Sequence, residues 1–228
     1  MLRILYEDNH LIAVYKPAGV LVQADDTGDA TLIDEVKYYI KTKYQKPGKV
    51  FLGMIHRLDR PVCGIILFAK TSKGASRLGE QFRARTVEKV YHALVQGTPP
   101  KTADTLVHYL KKDTNKNIVH VFPTLYPGTL RAELDYEVME SKNGFSLVKI
   151  ILKTGRPHQI RAQLSYIRCP IVGDAKYGGV VLDKKGDADL PHSHLSLCAT
   201  SLTFITATTK EEKKIEIPVP EEWRKYLS

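Results

Sequence analysis

Paired cysteines are missing from this sequence. Its three, Cys63, Cys169 and Cys198, are odd in number, far apart and without CxxC spacing, which argues against a disulfide framework and a zinc site and fits a reducing cytosol. Also missing is any uninterrupted apolar run of membrane-spanning length. The start, Met1-Leu2-Arg3-Ile4-Leu5-Tyr6-Glu7-Asp8, places an acidic pair where a signal peptide needs its apolar stretch, so the expectation is a cytoplasmic protein, neither secreted nor embedded in a bilayer. Gly, Pro and Ser do not pool into a linker, and there is no internal repeat or useful low-complexity tract. One domain covering 1–228 is expected. Acid is short relative to base: 25 Asp and Glu stand against 34 Lys and Arg, a formal charge of +9, which suits a polyanionic partner such as nucleic acid.

What is present is an ordinary globular balance, 43% hydrophobic and 26% charged, enough to bury one sizeable core. The chain opens with a strand, a turn at Asp8-Asn9-His10 and a second strand from Leu11 to Tyr15 that stops at Pro17 and Gly19. Leu32, Val36, Tyr39 and Ile40 are spaced for one face of a helix over residues 31–44. A strand is expected over 50–55. Gly64 to Ala69 is apolar on both faces, as in a buried central strand, and Ser72 is placed to cap a helix that runs to about Arg83. Strand patterns follow over 87–95, 118–122, 131–139 and 145–152, with Asn143-Gly144 signalling a tight hairpin. Residues 101–116 read as a basic, irregular stretch. Pro157 suits the first turn of a helix with an inward stripe of Ile160, Leu164 and Ile167. Strands resume over 195–206 and 214–217. A meander of strands broken by a few helices, without βαβ alternation, predicts an α+β fold with a mixed, mostly antiparallel sheet.

Two clusters carry chemistry. In Met54-Ile55-His56-Arg57-Leu58-Asp59-Arg60 an apolar strand runs into one carboxylate flanked by two arginines. Such a group is either a surface ion-pair cluster or a carboxylate kept ionised to act as nucleophile or base. In Lys153-Thr154-Gly155-Arg156-Pro157-His158-Gln159-Ile160-Arg161 a strand gives way to a helix start crowded with cations, which either attracts an anion or faces water. His192 and His194 form an HxH pair, but no third ligand lies near in sequence, and no metal site is expected.

Four separated segments together resemble the RluA-type RNA pseudouridine synthases, in matching order: Lys16-Pro17-Ala18-Gly19, His56-Arg57-Leu58-Asp59 continuing to Gly64, Lys89-Val90-Tyr91-His92-Ala93, and Thr154 to Arg161. After Arg60 the sequence departs from the family's usual pattern at Pro61-Val62-Cys63, where Cys63 reads as a small buried substitute for serine. The resemblance implies a pseudouridine synthase fold and isomerisation of uridine in rRNA or tRNA, without cofactor or metal. It implies Asp59 as catalytic carboxylate, either as nucleophile or by removing a sugar proton, and Arg161 as the cation that keeps it ionised, with Arg156 as second choice. Tyr91 would stack on the uracil, Ile160 would wall the pocket, and Arg57 would enter the RNA helix beside a flipped nucleotide. His56 belongs to the same substrate-binding group, and Lys16, Arg60, Arg83, Arg85 and Lys176 would hold phosphates. The first strand starts almost at residue 1, which leaves no room before it for a separate N-terminal RNA-binding domain, and a monomer with no obligate protein partner is expected. An RNA-binding module without turnover is the alternative.

Overall fold

The computed structural model describes residues 2–25, 28–181 and 195–228. The chain divides into two compact units, one of residues up to Glu88 with Ala199–Ile217, the other of Lys89–Cys198 with Pro218–Ser228.

The first unit is built on β1 (Arg3–Glu7), β2 (Leu11–Lys16), β4 (Cys63–Ala69) and β10 (Leu197–Ile205), hydrogen-bonded in that order, with the short β3 (Gly53–Met54) on β4 and β11 (Glu212–Glu216) on β10. Asp8 makes the first turn: its Oδ1 accepts the N–H groups of His10 and Leu11 at 2.7 and 2.6 Å, the local bonding that suits Asp to turns. Alternate side chains of β2 and β4 leave the sheet on opposite faces, and each face is covered. Ile12, Val14, Ile66 and Phe68 pack with Leu32, Val36 and Ile40 of helix α1 (Leu32–Lys43). Leu11, Ala13, Ile65 and Leu67 pack with Leu78 of helix α2 (Ser72–Ala84). That double cover is why β4 reads as apolar at every position.

The second unit orders its strands β5 (Glu88–Gln96), β9 (Phe145–Leu152), β8 (Leu130–Lys142), β6 (Ala103–Asp113) and β7 (Ile118–Phe122), all paired antiparallel. The β8–β9 hairpin closes through Asn143 and Gly144 at φ 54° and 78°, the left-handed pair that a tight hairpin needs. Helix α3 (Gln159–Tyr166) supplies Ala162 to a cluster with Leu110, Val119 and Ala132. The α+β class with a mostly antiparallel sheet is thus observed.

Several boundaries differ from the sequence reading. Residues 101–116 are largely the strand β6, its Leu106, His108 and Leu110 buried on one face; the lysines that made it look irregular sit at its exposed end. The strand expected over 50–55 shrinks to Gly53–Met54. Helix α2 is capped by Thr71, whose Oγ1 accepts the Gly74 N–H at 3.1 Å, and not by Ser72. Pro157 precedes α3, because His158 takes a left-handed φ of 49° at the N-cap and the helix begins only after it.

One half-buried carboxylate ties the first unit together. Glu7 of β1 accepts from Tyr39 and Lys43 on one oxygen and from Tyr44 and Lys70 on the other, at 2.5–2.9 Å. Burial pushes the carboxyl up, but the bonds from Lys43, Lys70, Tyr44 and Tyr39 outweigh it and lower the pKa from 4.5 to about 2. A carboxylate depressed in the folded state stabilises the fold above its unfolded pKa and loses that contribution as pH falls through the folded value. In urea denaturation the stability gap between wild type and Glu7→Gln is therefore expected to be full above about pH 5 and to shrink steadily towards pH 2. A gap independent of pH would contradict this.

Candidate active site

The segment carrying Asp59 links β3 to β4. The Val62 N–H donates to the Asp59 carbonyl at 3.0 Å, closing a turn over Arg60 and Pro61. Behind it Val62 and Cys63 are buried, so the Pro61-Val62-Cys63 departure packs inward. Gly64 follows at φ 124°, where a Cβ would lie 2.3 Å from the Ala199 carbonyl oxygen. No side chain fits there, which accounts for glycine at that place.

Lys16 holds this segment from the other side. It ends β2 opposite Gly64 and is 0% exposed. Its Nζ donates to the carbonyls of Pro17, Val20 and Arg60 at 2.9, 2.8 and 2.9 Å, which uses all three ammonium donors. Burial lowers its pKa to about 8, with Cys63 and Asp59 pulling up and Arg60 adding to the fall, while three carbonyl acceptors call for the three donors of an ammonium. Arg60 reinforces the join: its carbonyl accepts from Gly19 N–H at 2.9 Å, its Nε donates to the Gly19 carbonyl at 3.0 Å, and its Nη2 meets Asp29 at 2.7 Å. Lys16 thus has a different task from the phosphate contact expected of it. A fully buried ammonium with three carbonyl partners fastens the loop next to Asp59 and does not reach RNA.

His56 is also anchored. Its Nε2 accepts the Leu67 N–H at 3.0 Å, continuing the β3–β4 ladder with a side chain, and its ring stacks on Phe82 at 4.9 Å and 19°. Arg57 between these fixed points is exposed, Leu58 is buried and Asp59 is half-buried. Arg83 and Arg85 are exposed on or just beyond α2.

The second unit carries the other expected residues. Tyr91 lies on β5 opposite Ile150 and is 9% exposed. Before α3 a buried glutamine knots the loop: Gln159 Oε1 accepts from Thr154 Oγ1 at 2.7 Å and from the Arg156 N–H at 3.1 Å, while its Nε2 donates to the Glu133 carbonyl at 3.0 Å. Arg156 itself donates from Nε to the Arg131 carbonyl at 3.1 Å. Ile160 and Arg161 follow, both buried. Arg161 does not face water: its Nε and Nη2 grip Asp174 at 2.7 and 2.8 Å, with both side chains almost fully enclosed. Its guanidinium carbon sits 5.1 Å from the Tyr177 ring centre. Tyr177 is fixed in turn, its hydroxyl accepting the Val119 N–H at 2.8 Å and meeting His158 Nδ1 at 2.8 Å.

Within the first unit the structure therefore joins Lys16 to the Asp59 segment, with His56 and Arg57 on the same strand exit. Within the second it joins Arg156 and Arg161 through one loop and helix. Asp174 and Tyr177 escaped the sequence reading, and Gln159 was read there only as a member of its cluster. The available signal was Gly173-Asp174-Ala175-Lys176-Tyr177-Gly178-Gly179, a lone acid in a glycine-flanked turn; a Cβ on Gly179 would fall 1.9 Å from the Ile171 carbonyl oxygen. Lys176 is exposed and donates to the Asn117 carbonyl at 3.1 Å. Among the described residues no group of three or more His, Cys, Asp or Glu could hold a metal, while His192 and His194 lie outside the described residues. No described helix is long and apolar enough to cross a membrane.

The Arg161–Asp174 pair makes a sharp prediction for stability. Removing one partner of a buried ion pair strands the other charge, at a cost of roughly 3–5 kcal/mol, whereas replacing both with apolar side chains costs much less. Arg161→Met, which strands the Asp174 carboxylate, is expected to lose about 3 kcal/mol in chemical denaturation, and the double change Arg161→Met with Asp174→Leu to recover most of it. A double variant as unstable as the sum of its singles would contradict this.

Comparison with known proteins gives the family. The family model described as RNA pseudouridylate synthase matches residues 10–166. The chain is 34% identical over 241 residues to tRNA pseudouridine synthase C of Haemophilus influenzae, covering 100% of this chain and 97% of that protein. It is 30% identical over 236 residues to ribosomal large subunit pseudouridine synthase D of Xanthomonas campestris pv. campestris, covering 100% and 69%. In fold it is similar to the structure of Human RNA Pseudouridylate Synthase Domain Containing 4, with a TM-score of 0.79, 23% identity, and coverage of 99% of this chain and 91% of that one. The family match spans more than half of the chain and the relatives cover all of it, so this chain belongs to the RNA pseudouridylate synthase family of isomerases.

Proposed function

We propose that this chain isomerises specific uridines to pseudouridine in a structured RNA, either rRNA or tRNA, with Asp59 as the catalytic carboxylate. The two units would act as one catalytic domain, a monomer working in the cytoplasm without cofactor or obligate protein partner. The reaction breaks the bond from ribose C1′ to the base nitrogen, turns the base, joins C1′ to carbon 5 and releases the proton from carbon 5. Asp59 acts either by adding as a nucleophile or by taking a sugar proton to give a glycal. The observation that carries the reading is the fastening of its segment: Lys16, Gly19, Val62 and Gly64 fix the backbone around a half-buried carboxylate. Such pre-organisation is what positioning a reacting group demands.

A carboxylate enclosed with a base needs a cation to stay ionised. Arg161 is the group proposed for this, with Arg156 as second choice. Asp174 takes Nε and one Nη2 hydrogen, one edge of a guanidinium whose five N–H groups can serve two carboxylates. Tyr91 stacks on the uracil and Ile160 walls the pocket. A target inside a stem must leave the stack, at a cost of roughly a few kcal/mol. Exposed Arg57, beside the anchored His56, is suited to fill the gap with a planar group that both stacks and hydrogen-bonds. Arg60, Arg83, Arg85 and Lys176 supply positive charge for phosphates.

The test is mapping of pseudouridine in RNA treated with wild type and with Asp59→Asn. Product from wild type alone, with a loss of about a thousandfold or more in the variant and RNA affinity changed only a few-fold, is the expected result. Background product from both would leave the chain an RNA-binding module without turnover.

A further inference from the structure

The face of β6, β7 and β8 turned away from α3 carries an aromatic and cationic surface with no part in the reaction above. On the covered face Leu110, Val119 and Ala132 pack with Ala162. Strand register then puts Tyr109, Lys111, His120, Phe122 and Arg131 on the opposite face, since Tyr109 pairs with both Phe122 and Arg131 and Lys111 pairs with His120. Beyond β7 the chain folds back over this surface. The Tyr126 ring lies parallel to that of Phe122, with centroids 4.9 Å apart and planes 1° from parallel. The Lys111 ammonium stands 5.7 Å from the Tyr126 ring centre. Tyr126 is 51% exposed, and its neighbour Leu125 is 74% exposed.

This loop is set in advance. Tyr126-Pro127-Gly128-Thr129 has proline second and glycine third, with Gly128 at φ 78° and the Thr129 N–H donating to the Tyr126 carbonyl at 3.0 Å, the arrangement of a type II turn. Thr129 Oγ1 bonds both peptide groups of Tyr126. The ring is thus presented at little further cost in order. The nearby acids are already engaged: Glu133 with Arg131, Asp135 with Lys153, and Asp113 with the N–H groups of Asn115 and Lys116. What remains is an exposed aromatic ring beside the Lys111 ammonium, the combination that stacks a base and holds its phosphate.

We propose that this face binds an unpaired nucleotide of the substrate RNA other than the target uridine, its base stacked on Tyr126 and its phosphate against Lys111. The proposal rests on RNA being the substrate and adds a second point of recognition. It is tested by anisotropy of a labelled single-stranded RNA of about 12 nucleotides, alone and annealed to its complement. Tyr126→Ala is expected to weaken single-strand binding about tenfold and Tyr126→Phe hardly at all, because stacking needs the ring and not the hydroxyl. Lys111→Gln is expected to weaken it a few-fold and to reduce the salt slope by about one. The duplex should bind wild type and Tyr126→Ala alike. Equal single-strand affinity of wild type and Tyr126→Ala overturns the proposal. So does an equal loss on single strand and duplex, or self-association of the wild type that Tyr126→Ala abolishes, which would make the ring pair a contact between copies. Absence of pseudouridine from wild-type reactions would sink the proposed activity while leaving this binding comparison to be read by itself.

Discussion

Lys16 carries a positive charge into an interior that water does not reach, and three carbonyl dipoles converge to receive it. An unsolvated charge costs several kcal/mol unless it is hydrogen-bonded, so these oxygens cannot drift from the ammonium without losing much of what holds them. Two of them belong to the loop after β2, and the third is the carbonyl of Arg60, the neighbour of Asp59. The β2–β4 register makes the arrangement possible by setting Lys16 opposite Gly64. Gly64 in turn lets β4 approach Ala199 of β10 to a distance no side chain would permit. The Lys16-Pro17-Ala18-Gly19 and His56-Arg57-Leu58-Asp59 motifs, 40 residues apart, are therefore two halves of one local structure.

The second unit solves a similar problem with the opposite charge. Arg161 is buried on α3 and would be intolerable there alone, and Asp174 answers it with two short bonds from a glycine-flanked turn. Tyr177 lies beside the guanidinium and is held by Val119 and His158. Gln159 does for the loop before α3 what Lys16 does for the loop after β2, drawing separate backbone stretches to one side chain. Both units thus place charged groups by enclosing them among hydrogen-bond partners. Such enclosure suits the proposed reaction, in which one carboxylate meets one sugar.

Much of this was legible in the sequence. The all-apolar β4, the Asn143-Gly144 hairpin and the amphipathic α1 each carried a local signal strong enough to read alone, and the four motifs were legible through their combination and order. What failed was whatever tertiary partners decide. β6 alternates Leu106, His108 and Leu110 on one face, but a histidine in that series and lysines at its end hid the period. Lys16 looked like a surface cation because nothing in a linear sequence shows three carbonyls gathering round it. Asp174 went unnoticed because its partner lies 13 residues earlier on a helix whose start was itself misplaced. Charged residues are read as exposed by default, and the three that matter most to this account are half-buried or buried.

The central claim is that Lys16 works by fastening the Asp59 segment and not by binding RNA. The most direct measurement is the single-turnover rate of pseudouridine formation by Lys16→Met at saturating protein, under conditions where circular dichroism shows the variant folded. The account predicts a rate lower by about a hundredfold, the scale of a small misplacement of a reacting group, with the salt dependence of RNA binding unchanged. A wild-type rate at saturation combined with weaker binding and a shallower salt dependence would contradict it and return Lys16 to the phosphate contacts.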